Sequence, residues 1–360
     1  MWEGNKTFII ILGISTEFPG NALKDNPELP GGFLDARTYY YILMILQVFV
    51  NPILSIIMFI TCLINISTFL QMDLSQGVTL NLLILSCSDT VLAIVGLTSC
   101  FGFVMLLYGH YFILGVSIQS LVYACLFTIN YPMYTSLVVT TVIAIVRCLS
   151  VVMPLSFRNV ATPRRQLIII AIISLFSIGI PLYTQIRAGI SAPSRNVSQG
   201  TFGGASNQQM AMFDIFRNIF FYSCLSIIIT AMFFLIFALK KSSKFQALAS
   251  STKTDGKHSK TVNTRETQIV KTIIVILAIF VICNLPLNLL AIMRQTIPGF
   301  SDTGRFRLEK KVWDMIVWIG LAFNCGLNVL AYYFTNSSYR KTLNSNVRHL
   351  LCSSSEKFVQ

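Results

Sequence analysis

A few polar residues stand in long apolar stretches of this chain, and their types fall into two chemical sets. The apolar runs are interrupted by Asn65, Asp89, Ser136, Asn284, Asn288, Asn324, Asn328 and, near the outer end of the last run, Asp314. A carboxylate or amide held in lipid needs an internal partner, so each such position is first read as functional. Carboxylate, hydroxyl and amide oxygens together suit a hard cation. The same groups can instead simply tie helices together, at about 0.6 kcal/mol per hydrogen bond. The second set is a separated charge pair. Arg147 lies in the run YTSLVVTTVIAIVRCLSVVMPLSF (134–157), and Glu266 stands twenty residues before Pro286, about 30 Å along a helix. Their pairing would clamp two helices at one membrane face, and an exposed pair of this kind contributes about 0 to 1 kcal/mol. The runs contain no histidine, GxSG or HExxH, so enzyme chemistry is not expected.

The elements that must carry these residues follow from composition. Of 360 residues, 54% are apolar and 11% charged, a balance that no soluble domain of this size sustains on its surface. A helix crossing a hydrocarbon core about 30 Å thick needs roughly 20 apolar residues. Seven stretches qualify: 40–69, 78–107, 115–152, 166–186, 213–239, 269–293 and 312–334. The expected fold is therefore all-α, a polytopic bundle of seven transmembrane helices. The segment NSSYRKTLNSNVRHLLC (336–352) adds a short amphipathic eighth helix, its Tyr339, Leu343, Val347 and Leu350 recurring at helical spacing. The chain then divides into an outer tail (1–39), the bundle (40–335) and an inner helix and tail (336–360).

Orientation rests on Lys and Arg. With the amino terminus outside, the inner segments hold sixteen of the 27. The net charge of +13 then faces anionic lipid and an acidic partner, and not nucleic acid. Two glycosylation sequons, at Asn5 and Asn196, both fall outside. The inner loop 240–266 is rich in Lys, Ser and Thr and open to phosphorylation. Cys352, just beyond the amphipathic turns, is a candidate for palmitoylation.

The neighbourhood of Arg147, followed by Cys148 and Pro154, resembles the end of the third helix of rhodopsin-like G-protein-coupled receptors. Asp89 within LSCSD, the Pro286 segment FVICNLPLNLL, and Asn328-Val329-Leu330-Ala331-Tyr332 in place of Asn-Pro-x-x-Tyr are similar to that family at matching spacing. The resemblance implies a receptor at the plasma membrane that binds an extracellular ligand and activates a heterotrimeric G protein, with arrestin and a kinase as further partners. It implies Arg147, Glu266, Asn328, Tyr332, Pro154 and Pro286 as switch and coupling residues. It also implies a sodium site from Asp89, Ser136, Asn324 and Asn328, joined by Asn65; otherwise no cofactor is expected.

Several family positions are altered. Val146 replaces the acid before the arginine, so basal signalling is expected. Val329 replaces a proline and should leave a straighter helix. The lysine that would hold retinal is Ala322, and the amine-anchoring aspartate, eighteen residues before Arg147, is Ile129, which argues against a monoamine. Pocket candidates are Tyr123, Asn130, Tyr134, Asn284, Asn288 and Asp314, with Arg294, Arg305, Arg307, Lys310 and Lys311 forming either an anion-greeting cluster or a solvated rim. The usual disulfide lacks a cysteine in the loop 187–213. Cys125, about 33 Å of helix above Arg147, and Cys100, about 16 Å above Asp89, could replace it. This erosion is similar to that of invertebrate chemosensory or orphan peptide-type receptors. The alternative is a seven-span chemosensory ion channel with its amino terminus inside.

Overall fold

A backbone in lipid has no water to bond, so its N–H and C=O groups must satisfy one another within helices. The computed structural model describes residues 32–75, 77–107, 112–113, 116–118, 121–122, 125, 128–152, 162–190, 207–251, 257–301 and 304–357. Side chains are described outside 36, 107, 112–113, 116–117, 130, 151–152, 176–178, 180–190, 207–217, 241–251, 257–269 and 349–357. Span one runs through Ala36–Met44, Ile45–Val50 and Asn51–Leu70, span two is Gly77–Leu107, and span three is Asn130–Val152. Spans four and five are Pro163–Ile190 and Asn207–Ser251. Span six comprises Lys257–Cys283 and Leu285–Thr296, span seven is Arg307–Thr335, and the eighth helix is Ser337–Lys357. Among the described residues six of these helices, all but span four, are long and apolar enough to cross a membrane.

Several hydroxyls inside the spans are satisfied locally. Ser86, Thr90, Thr98, Thr135 and Thr141 donate to the carbonyl four residues back, at 2.8 to 3.0 Å, which lets them lie in lipid or core without a second helix. Apolar side chains such as Ile53, Ile56, Ile57 and Ile60 point outward and stay exposed, the pattern of a lipid-facing surface. The inward faces form one large core drawn from spans one to seven, including Leu85, Ile143, Ile228, Ile276 and Tyr332. A second core nearer the outer side joins Met58, Leu92, Leu290, Val317 and Trp318.

Proline chemistry sets the irregularities. Pro52 offers no N–H to Val48, and just ahead of it Ile45–Val50 is a π-helical turn in which the Asn51 N–H bonds Leu46 O, five residues back. Span six breaks at Asn284 (φ −90, ψ 0), two residues before Pro286. Span seven, with Val329, is uninterrupted over 29 residues, as expected. Small residues allow close approach. A Cβ on Gly96 would collide with the Trp318 ring and lie 3.2 Å from Ser55 Oγ, so spans one, two and seven meet there.

Several boundaries differ from expectation; span five runs Asn207–Ser251 and span six starts at Lys257, each helix extending past its apolar run. Span three does not run as one helix from Gly115: Phe112–Ile113 and Val116–Ser117 form a small antiparallel ribbon, and the continuous helix starts at Asn130. Pro132 lacks the N–H that would close the turn on Thr128, although Ile129 and Met133 still bond four residues back. The eighth helix is not short; it spans 21 residues, because nothing in its sequence stops it at Cys352. Span one begins at Ala36, where the Asp35 carboxylate accepts the Thr38 N–H at 3.2 Å. Hydrogen bonding from the Thr38 side chain, and then from its N–H, holds the Asp35 carboxyl below its ordinary value.

Candidate functional site

The mid-membrane cluster is assembled by spans two, three and seven. Asp89 is buried, and its Oδ2 accepts from Asn328 Nδ2 at 3.3 Å. Asp89 Oδ1 and Ser136 Oγ are buried and make no hydrogen bond. Ser136 and Asn324 line a cavity of about 10 Å³ together with Met133, Phe280, Asn284 and Cys325, room for about one water-sized species. The orphaned Ser136 Oγ lines this cavity, and the orphaned Asp89 Oδ1 is a second buried oxygen of the kind a hard cation takes: Asp89 and Ser136 would hold it, with the amides of Asn324 and Asn328 in reserve. When bound, sodium supplies positive charge that offsets a carboxylate far from water.

Asn65 departs from the expected grouping. It does not join this cluster: its Oδ1 accepts the Tyr339 hydroxyl at 2.6 Å. Asn65 lies near the inner end of span one, about one turn from Phe69, which puts it level with the start of the eighth helix. Tyr332, Phe69 and Tyr339 pack there as three buried rings with centroids 5.2, 5.3 and 5.5 Å apart.

Around the break in span six, Asn284 Nδ2 donates to Phe280 O at 2.8 Å and Asn288 Nδ2 to Asn284 O at 2.9 Å. Their amide hydrogens therefore serve the kink, while the carbonyl of Asn284 receives from both the side chain and the backbone N–H of Asn288. Tyr134 is buried against Phe220, edge to face at 6.4 Å. At the outer end, Asp314 pairs with Lys310 at 2.7 Å, and the lysine is itself buried. Asp314 thus meets a cation of its own helix before any ligand. Next to this pair, Glu309 Oε1 accepts the Leu34 N–H at 2.9 Å and Phe33 stacks on Phe306 at 5.9 Å, so the residues ahead of span one pack on the start of span seven.

At the inner end Arg147 is partly buried beside buried Val146, and Cys148 Sγ lies 3.6 Å from Ala231 O of span five. The side chains of Glu266, Asn130 and Cys352, and residues Tyr123, Pro154, Asn5 and Asn196, lie outside the described residues. The Cys100–Cys125 staple is not formed. Both are free thiols, accommodated in the interior as small apolar side chains. Sequence reading also missed the buried bond from Asn81 Nδ2 to Gln166 Oε1, 2.8 Å. Its signal was available in an amide on the inward side of span two.

The model of the 7 transmembrane receptor (rhodopsin family) matches residues 62–332. The chain belongs to the rhodopsin family of seven-transmembrane receptors. Membership makes span four the seventh crossing, makes the protein a multi-pass membrane protein, and places it among signalling receptors and not enzymes. It also removes the inverted ion-channel reading. Among curated relatives, this rhodopsin-family chain is 33% identical over 105 residues to the D(1A) dopamine receptor of Xenopus laevis, covering 28% of this chain and 23% of that receptor. It is 34% identical over 84 residues to the Xenopus laevis D(1B) dopamine receptor, covering 22% and 18%. It is 35% identical over 85 residues to the D(1A) dopamine receptor of Didelphis virginiana, covering 22% and 18%. The chain thus spans less than a quarter of the length of each of these relatives.

Proposed function

We propose that this chain is a plasma-membrane receptor, amino terminus outside, that binds an extracellular ligand and activates a heterotrimeric G protein. The observation that carries the reading is the buried Asp89–Asn328 bond, which joins spans two and seven inside a stretch that matches the rhodopsin family. A bond between two helices at mid-depth is the kind of element that two conformations make differently, and a ligand shifts such an equilibrium only through its differential affinity. Arg147 at the inner end of span three is the coupling residue, with Glu266 as its partner across to span six. Arrestin and a kinase follow on the Ser- and Thr-rich inner loop.

The ligand is not a monoamine. The relatives are named for dopamine, but the place eighteen residues before Arg147 holds Ile129, packed among apolar neighbours, and a protonated amine needs an anion there. A chemosensory or peptide ligand fits better. Sodium binds at Asp89 and Ser136. The test is nucleotide exchange by G proteins in membranes that carry the full chain, challenged with odorants, amino acids, short amidated peptides and dopamine. Exchange with a peptide or odorant and none with dopamine supports the reading; a response to dopamine alone overturns the ligand class, and silence above control membranes overturns the receptor.

A further inference from the structure

At the outer mouth, spans six and seven meet through a bond between an indole and a thioether. Trp313 Nε1 donates to Met293 Sδ at 3.0 Å. Met293 stands in the last turn of Leu285–Thr296, beside the exposed residues Arg294, Gln295 and Thr296, where the helix leaves lipid for water. Trp313 stands in the second turn of span seven. Both side chains are half-buried, and with Phe306 they pack on the outer core that holds Leu290 and Phe300. An indole N–H can only donate, and a thioether sulfur accepts weakly. The tie is therefore a weak one, made to an atom that can be oxidised. Two other methionines of the bundle are placed differently: Met58 has no exposed surface, and Met133 lines the mid-membrane cavity.

We propose that Met293 is an oxidation site whose state Trp313 registers, and that the oxidant is a hydroperoxide arriving from the outer face. The sulfur lone pair takes the terminal peroxide oxygen and the O–O bond breaks. The proton of that oxygen passes to the departing one, which leaves as water or an alcohol; the thioether is oxidised to a sulfoxide and the peroxide is reduced. A sulfoxide is polar, and in place of the sulfur it offers an oxygen as acceptor. That oxygen lies one bond farther from the Met293 backbone, so the indole must retreat to keep its hydrogen bond. The packing with Phe306 and Phe300 is loosened, and the outer ends of spans six and seven move apart. Reduction of the sulfoxide restores the first state. The reaction is independent of G-protein exchange, so it goes beyond the receptor reading and does not rest on it.

The purified full chain in lipid discs is treated with limiting hydrogen peroxide and mapped by peptide mass spectrometry. Met293 should gain one oxygen before Met58 and Met133 do. Of the three tryptophans, Trp2, Trp313 and Trp318, Trp313 should respond: emission shifts to longer wavelength as Met293 is oxidised, and deuterium uptake over Leu285–Thr296 quickens. Methionine sulfoxide reductase should return both signals to their starting values. Met293→Leu keeps an apolar side chain of similar volume and removes the sulfur, so peroxide should leave its emission and uptake unchanged. Trp313→Phe should lose the emission shift while Met293 is still oxidised, and Met58→Leu should behave as the parent. Should Met293→Leu not purify, the mass map of the parent and the reversal by the reductase decide. Oxidation of Met58 as fast as Met293, a Met293 sulfoxide that leaves Trp313 emission unchanged, or an emission shift that survives Met293→Leu overturns the site.

Discussion

Arg147 is flanked by Val146, and one carboxylate is thereby missing from its surroundings. Restoring it in Val146→Glu should lower basal exchange by about fivefold, the ratio that about 1 kcal/mol produces in a two-state system; equal output from both forms would remove Val146 from the account. Asp89→Asn tests the cation site differently: agonist or radioligand binding to the parent should fall as sodium replaces choline in the buffer, and binding to the variant should not respond. For Tyr339 the sign is that of an acid raised on folding. Its contribution is complete below about 10, its ordinary value, and is lost as pH rises through about 12. Ultraviolet titration should therefore lose one late-ionising phenol in Tyr339→Phe. Asp89 and Asn328 were legible in sequence because a charge inside an apolar run has few innocent explanations. Asn65 was legible as a residue but not as a contact. Its partner lies 274 positions away, a distance that no periodicity reports.

At the scale of helices, sequence located the spans because lipid dictates their length, while the break in span six at Asn284, beside Pro286, came from the structure. It overran at Gly115 because the apolar run of span three continues through a ribbon that composition alone does not separate from helix. Close approach was harder to foresee. Gly96 reads as a neutral small residue until the Trp318 ring is found where its Cβ would be. Gly96→Ala should cost about 1 to 3 kcal/mol through overpacking, seen as a lower melting temperature of the purified chain. Gly96→Ala combined with Trp318→Leu should recover much of the loss, since the leucine withdraws from the contested space; no recovery would mean that the helices move apart instead.

The whole molecule is a bundle with apolar flanks turned to lipid and its polar groups drawn to a central seam and an inner aromatic knot. Seven crossings put the two termini on opposite sides. A tag ahead of Met1 should be stained on intact cells, and one after Gln360 only after permeabilisation; the reverse pattern would invert the protein. The tag at the outer end should also shift in mobility with glycosidase if Asn5 or Asn196 is modified.

The widened turn at Ile45–Val50 stores one residue more than an ordinary helix would need. Each residue of an α-helix advances the side chains by about 100°. Deleting a single residue within it should let that stretch rewind to ordinary α-helix with Tyr39 and Leu43 still seated against Phe103 and Leu308, whereas a deletion between the turn and Leu43 or elsewhere in regular helix should swing them toward the acyl chains. A gene product shortened inside the turn would keep both halves in register, and one shortened outside it would keep its inner half in place while its outer mouth faced the wrong way.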